Sequence, residues 1–208
     1  MKDLLVLTAD KDAECLIKAF LDRIIKTDEV KKFTFHVLPH HPQRDPGVLN
    51  HSVDYVRPYL KEYKFLLVLF DHEGCGKESA SRDKIETQIE KTLDANGWKN
   101  RNACVVLEPE IESWLWVNAA HLHDITDWSD KLSVYGWLKK KGFLFKPDGQ
   151  KPEQPKEAFE CILKKQRIPY SSSLFAELAG KASYISCSDP AFSKFIDIIR
   201  NMQNYEKN

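Results

Sequence analysis

The sequence predicts an α/β fold, a mostly parallel four-stranded sheet with helices on both faces and a C-terminal helical cap. Three observations predict it. Short apolar runs alternate with stretches of helical spacing through the first half of the chain. The most apolar run, residues 65–70 (FLLVLF), lacks polar alternation and so suits a central parallel strand buried on both faces. Beyond Ile111 no strand pattern recurs, and helical pieces follow one another between polar, proline-bearing loops.

In chain order, residues 3–8 (DLLVLT) read as a first strand, and Ala13, Leu16, Ile17, Phe20 and Ile24 then recur at helical spacing. Residues 33–38 are expected to form the second strand. A helix over 48–63, kinked at Pro58, should follow. After the central strand and a loop, Ile85, Ile89 and Leu93 stand four apart with charges between them, and Asn96-Gly97 closes the helix as a C-cap does. Residues 103–107 make the fourth strand. The spacing predicts further helices over 156–166, 173–182 and 190–204, with residues 146–155 as the clearest loop. The sheet is thus expected in residues 1–120, and the helical cap, packed on the same core, in 121–208.

Composition limits the function classes. Among 208 residues, 31 basic side chains balance 31 acidic ones, which excludes a general polycation acting through its overall field. A partner must therefore be recognised at a local site. No apolar run reaches the roughly 18 to 20 residues that span a bilayer, and the start MKDLLVLTAD lacks a signal-peptide pattern, so a cytoplasmic protein without a membrane span is expected. Five cysteines without CxxC spacing read as reduced thiols, with Cys75 set apart by its glycine-flanked loop.

Carboxylates follow three of the four expected strands: Asp10 the first, Asp71 and Glu73 the third, and Glu108, Glu110 and Glu112 the fourth. A parallel sheet brings such strand ends to one edge, where ligands bind in doubly wound folds. Clustered carboxylates raise one another's pKa unless a cation lies between them, and hard oxygen donors suit Mg²⁺ or Mn²⁺. Acidic loop residues are also common without converging, and helix capping alone could account for Glu110 and Glu112 after Pro109. His72 is a candidate general acid or base, or else a surface histidine. In the turn HPQRDPG (41–47), Arg44 and Asp45 could position a phosphate or orient another side chain, or serve the turn alone. Adjacent His40 and His41 do not match a zinc-binding spacing. Trp114 and Trp116 read as core residues. The basic run of Lys139, Lys140, Lys141, Lys146, Lys151, Lys156, Lys164, Lys165 and Arg167, interleaved with Trp137, Phe143 and Phe145, is compatible with a nucleic-acid-facing cap or with a solvated face. Within it Lys156 is misplaced, because it begins a helix, where cations are disfavoured.

The motifs HPQRDPG (41–47), FDHEGCG (70–76), EPEIESWLW (108–116), KPEQPKEA (151–158) and CSDPAF (187–192) together resemble a small TOPRIM-like component of bacterial methylation-associated phage-defence systems, related to nucleases of the OLD and RloB type. The resemblance covers nearly the whole chain. It implies a Mg²⁺- or Mn²⁺-dependent nuclease acting on DNA or RNA in antiviral defence, beside larger defence-system proteins. It also implies Asp71 and Glu73 as the metal-binding pair, Glu112 as the later acidic ligand and Lys156 as the charge-supporting lysine. The sequence departs from the pattern at the end of the first strand, where Thr8 stands in place of the usual glutamate and Ala9 in place of a glycine. Asp10 is expected to substitute, with Glu110 completing the metal set and Lys156, Arg44 and His72 as the catalytic candidates. The departure keeps a second expectation open, a catalytically degenerate module that docks on larger partners.

Overall fold

The computed structural model describes residues 1–27, 30–117, 119–147, 151–181, 187 and 189–202, without the side chains of 117 and 119–121. Its strands are β1 (Lys2–Thr8), β2 (Phe35–Val37), β3 (Tyr63–Asp71) and β4 (Asn102–Leu107), all parallel and ordered β2-β1-β3-β4. The pairing Thr8 opposite Leu69 and Asp71 opposite Leu107 brings the carboxyl ends of β1, β3 and β4 level.

Strand alternation divides the core in two. Leu4, Val6, Phe65, Leu67, Leu69, Ala103, Val105 and Leu107 face one side, and Leu5, Leu7, Leu66, Val68, Phe70, Cys104 and Val106 the other. α1 (Lys11–Lys26) covers the first side, whereas α2 (Arg44–Val56) and α3 (Arg82–Leu93) cover the second. This follows from connection handedness. The chain steps one way from β1 to β2 and the opposite way from β2 through β3 to β4, so right-handed crossovers fall on opposite faces. The reversal lies between β1 and β3, where a crevice opens at the carboxyl ends in such sheets.

α1 forms where its periodicity predicts, burying Ala13, Leu16, Ile17, Phe20, Leu21 and Ile24, and Asp10 caps it by accepting the Ala13 N–H at 2.8 Å. The second helix differs from expectation. It starts at Arg44, stops at Val56 and passes through a single 3₁₀ turn, Arg57–Tyr59, because Pro58 has no amide to continue the ladder. α3 ends at Leu93 in a wide turn whose Gly97 has φ +96°, with Leu60 pressed against it, so the left-handed C-cap predicted at Asn96-Gly97 is present.

Beyond β4 the chain makes a 3₁₀ segment (Ile111–Val117), α4 (Ala119–Ile125), α5 (Val134–Lys140), α6 (Pro155–Gln166), α7 (Ser172–Lys181) and α8 (Pro190–Asn201). Residues 182 and 203–204, expected at helix ends, and 148–150 of the expected loop lie outside the described residues. Pro109 precedes the 3₁₀ segment and does not open an α-helix. The later helices share the core of the α1 side: Trp114 and Phe20 meet Phe192 and Phe195 of α8 at ring-centroid distances of 5.1 to 5.5 Å. Trp114 and Trp116 are buried there, as expected of core residues.

Two charged contacts tie these layers together. Lys151 is buried and bonds Asp189 Oδ2 at 2.7 Å, while Asp189 also accepts the Phe192 N–H as the cap of α8 and the Trp114 indole N–H. Lys151 therefore leaves the proposed basic face, because its charge is neutralised inside the fold. On the other side of the sheet, Glu86 and Glu90 of α3 accept the outward N–H groups of Val106 and Cys104 at 2.8 and 2.9 Å, sealing the outer edge of β4.

Candidate metal centre

Asp71 ends β3, and alternation turns its side chain toward the α1 face, where Oδ1 accepts the Ile111 N–H at 2.9 Å. That contact folds the segment after β4 back over the strand ends and carries Glu110 and Glu112 with it. One carboxylate oxygen from each of Asp71, Glu110 and Glu112 lies within 4.8 Å of the other two. Two oxygens that share an ion at about 2.0 to 2.6 Å lie at most about 4 to 5 Å apart, so these three stand at the outer edge of shared ligation and would close on an ion by small side-chain shifts. Glu110 and Glu112 are both buried, and Glu112 Oε2 has no hydrogen-bond partner among the described residues.

Two buried carboxyls and a half-buried one beside one another cannot all ionise cheaply. Burial, joined by the charges of Asp45, Glu112, Asp10 and Glu110, raises the Asp71 pKa well above the ordinary carboxylate range. Burial and the Glu112 charge push Glu110 up to about 7, against the offsetting pull of Lys156. Burial raises Glu112 as well.

The compensating cation is Lys156. Its Nζ lies 3.8 Å from both Glu110 Oε2 and Glu112 Oε1, and its backbone N–H donates to Glu110 Oε1 at 3.1 Å. Glu110 thus caps the start of α6 from across the site, where Gln154 makes no side-chain cap. A lysine that is misplaced with respect to its own helix is well placed with respect to these acids. Burial would depress its pKa, but the charges of Glu112, Glu110, Asp71 and Asp10 outweigh it and hold the pKa above the ordinary value.

The remaining expected residues divide. Asp10 is near enough for its charge to bear on Asp71, Glu112 and Asp45, yet one of its oxygens is committed to capping α1, and it stands outside the three-carboxylate group. Glu73 is exposed and also outside the group, because its backbone N–H is drawn to the Pro109 carbonyl in the loop after β3. The His72 ring donates from Nε2 to the Ala80 carbonyl at 2.8 Å, so it braces the loop between β3 and α3 and does not join the carboxylates. Cys75 in that loop is buried, and its Sγ accepts the Lys77 N–H. Arg44 is exposed at the head of α2, with φ +50°. His41 packs on Gly47 and Tyr55, and its Nδ1 accepts the Gln43 N–H, while the His40 ring lies 3.3 Å from Glu14 Oε2.

Two further residues act beside the metal set: Asp45, which the sequence offers as an orienting residue, and Tyr170, which it does not mark. Asp45 Oδ1 accepts the Asp71 N–H at 2.8 Å, so the proline-braced turn orients the end of β3; its carboxyl pKa is raised by burial first and then by the charge of Asp10. The HPQRDPG turn was the available signal. Tyr170, between α6 and α7, places its hydroxyl 2.7 Å from Asp12 Oδ2 and 3.1 Å from Glu112 Oε1. Burial and the Glu112 charge raise its pKa far above the ordinary phenol value, so it remains a donor. No spacing in the sequence marks it, because 58 residues separate it from Glu112.

Fold and site define a doubly wound α/β protein with an acidic centre at the carboxyl ends of β3 and β4. Comparison with protein-family models, curated proteins and solved structures finds no match. Among the described residues, no helix is long and apolar enough to cross a membrane.

Proposed function

We propose that this chain is a divalent-metal-dependent nuclease that takes Mg²⁺ or Mn²⁺ and hydrolyses phosphodiester bonds of DNA or RNA in bacterial antiviral defence, in the cytoplasm and beside larger defence-system proteins. One observation carries the chemistry: three hard oxygen donors converge within 4.8 Å beside Lys156, with a buried carboxylate oxygen left without a partner among the described residues. This donor set fits a small divalent cation better than a soft metal, which would call for thiolates or imidazoles. The antiviral setting and the partners rest on the TOPRIM-like motif resemblance.

In this reading Asp71, Glu110 and Glu112 would hold the cation, which supplies Lewis-acid polarisation of a phosphoryl oxygen. Lys156, half exposed and anchored by both glutamates, would offset negative charge developing on the phosphoryl group. Arg44 stands one residue from Asp45 and is exposed, so its fork is available to a neighbouring phosphate of the strand. Asp45 keeps Asp71 in register by holding its N–H.

The test is cleavage of plasmid and single-stranded DNA and RNA with Mn²⁺ or Mg²⁺, alongside thermal unfolding with and without the ion. Wild type is expected to cleave and to gain about 2.7 kcal/mol at an ion concentration of about 100 times Kd. Asp71→Asn should lose both the gain and at least about 100-fold in rate, the scale of losing a principal electrostatic contact. The end of β1 favours a second reading: Thr8 is fully buried, and Asp10 is partly spent on a helix cap, so no carboxylate stands where the family pattern has its first acid. A degenerate module docking on defence partners would bind Mn²⁺ weakly or not at all and leave every substrate intact.

A further inference from the structure

The Glu112 carboxylate is held unevenly. Oε1 has the Tyr170 hydroxyl at 3.1 Å and the Lys156 ammonium at 3.8 Å, whereas Oε2 is buried and meets no donor among the described residues. An unmet buried acceptor costs about 1 to 3 kcal/mol, more when charged, so the pose must be enforced by what holds the other oxygen. Tyr170 can enforce it. Its ring meets Phe159 of α6 at 6.3 Å and Phe175 of α7 at 5.8 Å, both edge-on, and its hydroxyl also reaches Asp12 in the first turn of α1. Three helices thereby fix the position of one oxygen atom beside the acidic centre.

We propose that Tyr170 is the positioning residue of the cation site: its hydroxyl, whose one proton is shared between Asp12 Oδ2 at 2.7 Å and Glu112 Oε1 at 3.1 Å, pins Glu112 Oε1 between α1 and the acidic centre so that Oε2 is the oxygen offered to the ion. The inference rests on the metal-site reading above. A carboxylate that ligates an ion through one oxygen is oriented by a hydrogen bond to the rest of the group, and losing such a bond weakens metal binding by about 10- to 100-fold. Tyr170 also makes the cap a participant, since the residue comes from the connection between α6 and α7 while Asp71 and Glu112 come from the sheet side. It acts through Glu112 and touches no reacting atom.

The experiment is a Mn²⁺ titration, by calorimetry and by electron paramagnetic resonance of the free ion, on wild type, Tyr170→Phe and Glu112→Gln. Unfolding midpoints of the metal-free proteins and cleavage across a range of Mn²⁺ concentrations complete it. Tyr170→Phe keeps the ring packing. It is expected to bind Mn²⁺ about tenfold more weakly, to unfold without metal at the wild-type midpoint, and to recover wild-type cleavage at saturating Mn²⁺ with unchanged KM for nucleic acid. Tyr170→Phe binding as tightly as wild type, while Glu112→Gln does not bind, overturns the role of Tyr170 and leaves the metal site intact. Weaker cleavage that saturating Mn²⁺ does not restore overturns it in favour of substrate contact. Absence of Mn²⁺ binding in wild type overturns the metal reading and this inference together.

Discussion

Along the outer edge of β4, Glu86 and Glu90 accept backbone N–H groups and share the Lys194 ammonium at 3.0 and 2.9 Å, with Arg82 3.6 Å from Glu86. At the carboxyl ends of β3 and β4, Asp71, Glu110 and Glu112 meet Lys156, 3.8 Å from each of the two glutamates, and one buried oxygen meets no donor among the described residues. Both sets are carboxylates next to the same strands. At the edge, two acids face two cations and two N–H donors, so charge and hydrogen bonding are both met and the acids act as structure. At the strand ends the acids outnumber their cation, and the shortfall is what a divalent ion would supply. The count of partners around each oxygen separates a buckle from a candidate site; the number of acids does not.

The largest test of that contrast is Glu86→Ala. It strips the buried Val106 N–H of its charged acceptor and leaves Lys194 with Glu90 alone among the described residues, and losing a hydrogen bond to a charged group costs about 1.5 to 3 kcal/mol. Glu112→Gln, which removes a buried charge that shares one lysine with Glu110 while keeping its shape, is expected to leave the metal-free protein as stable as wild type or more so. Urea unfolding of both variants measures the difference, and equal losses would erase the distinction between the two regions.

A second, smaller effect lies in pH. Glu110 titrates at about 7 in the fold against an ordinary 4.5, so its protonated form is the one the fold favours. Its contribution is therefore full below pH 4.5 and lost as pH rises toward 7. Metal-free wild type should lose on the order of 2 kcal/mol across that window relative to Glu110→Gln, since a tenfold change in proton affinity is worth about 1.4 kcal/mol and solvent screens part of it. Parallel denaturation curves at about pH 4.5, 6 and 7.5 check it; a difference independent of pH would show that Glu110 is not strained by its neighbours. The smallest effect is Lys156→Met. Because that side chain is half exposed, its loss is expected to change metal-free stability by less than about 1 kcal/mol, read in the same urea assay.

How much of this was legible in the sequence depends on the range of the interaction involved. The buried face of α1 and the doubly apolar β3 follow from local periodicity, and the structure places both as expected. Asp71, Glu110, Glu112 and Lys156 were candidates because they abut strand or helix ends. His72 and Glu73 met the same criterion, but the structure sends the first to the Ala80 carbonyl and leaves the second exposed. Glu86 looks in sequence like a surface charge between apolar positions of α3 and is 3% exposed, because its stem lies over β4 and its head meets Val106. Lys151 is lost among solvated lysines until the fold brings up Asp189, 38 residues on, to neutralise it.

Sequence alone therefore determined what short-range physics controls: the alternation of elements, the parallel sheet with helices on both faces, and the acids lying at strand ends. Tertiary structure alone decided which of those acids share a point, which oxygen goes without a donor, and that Tyr170 and Asp45 belong beside them. The reason is that hydrophobic periodicity repeats about every two or 3.6 residues and can be read within a window. Compensation of a buried charge depends on groups far along the chain, and those become neighbours only when the core closes.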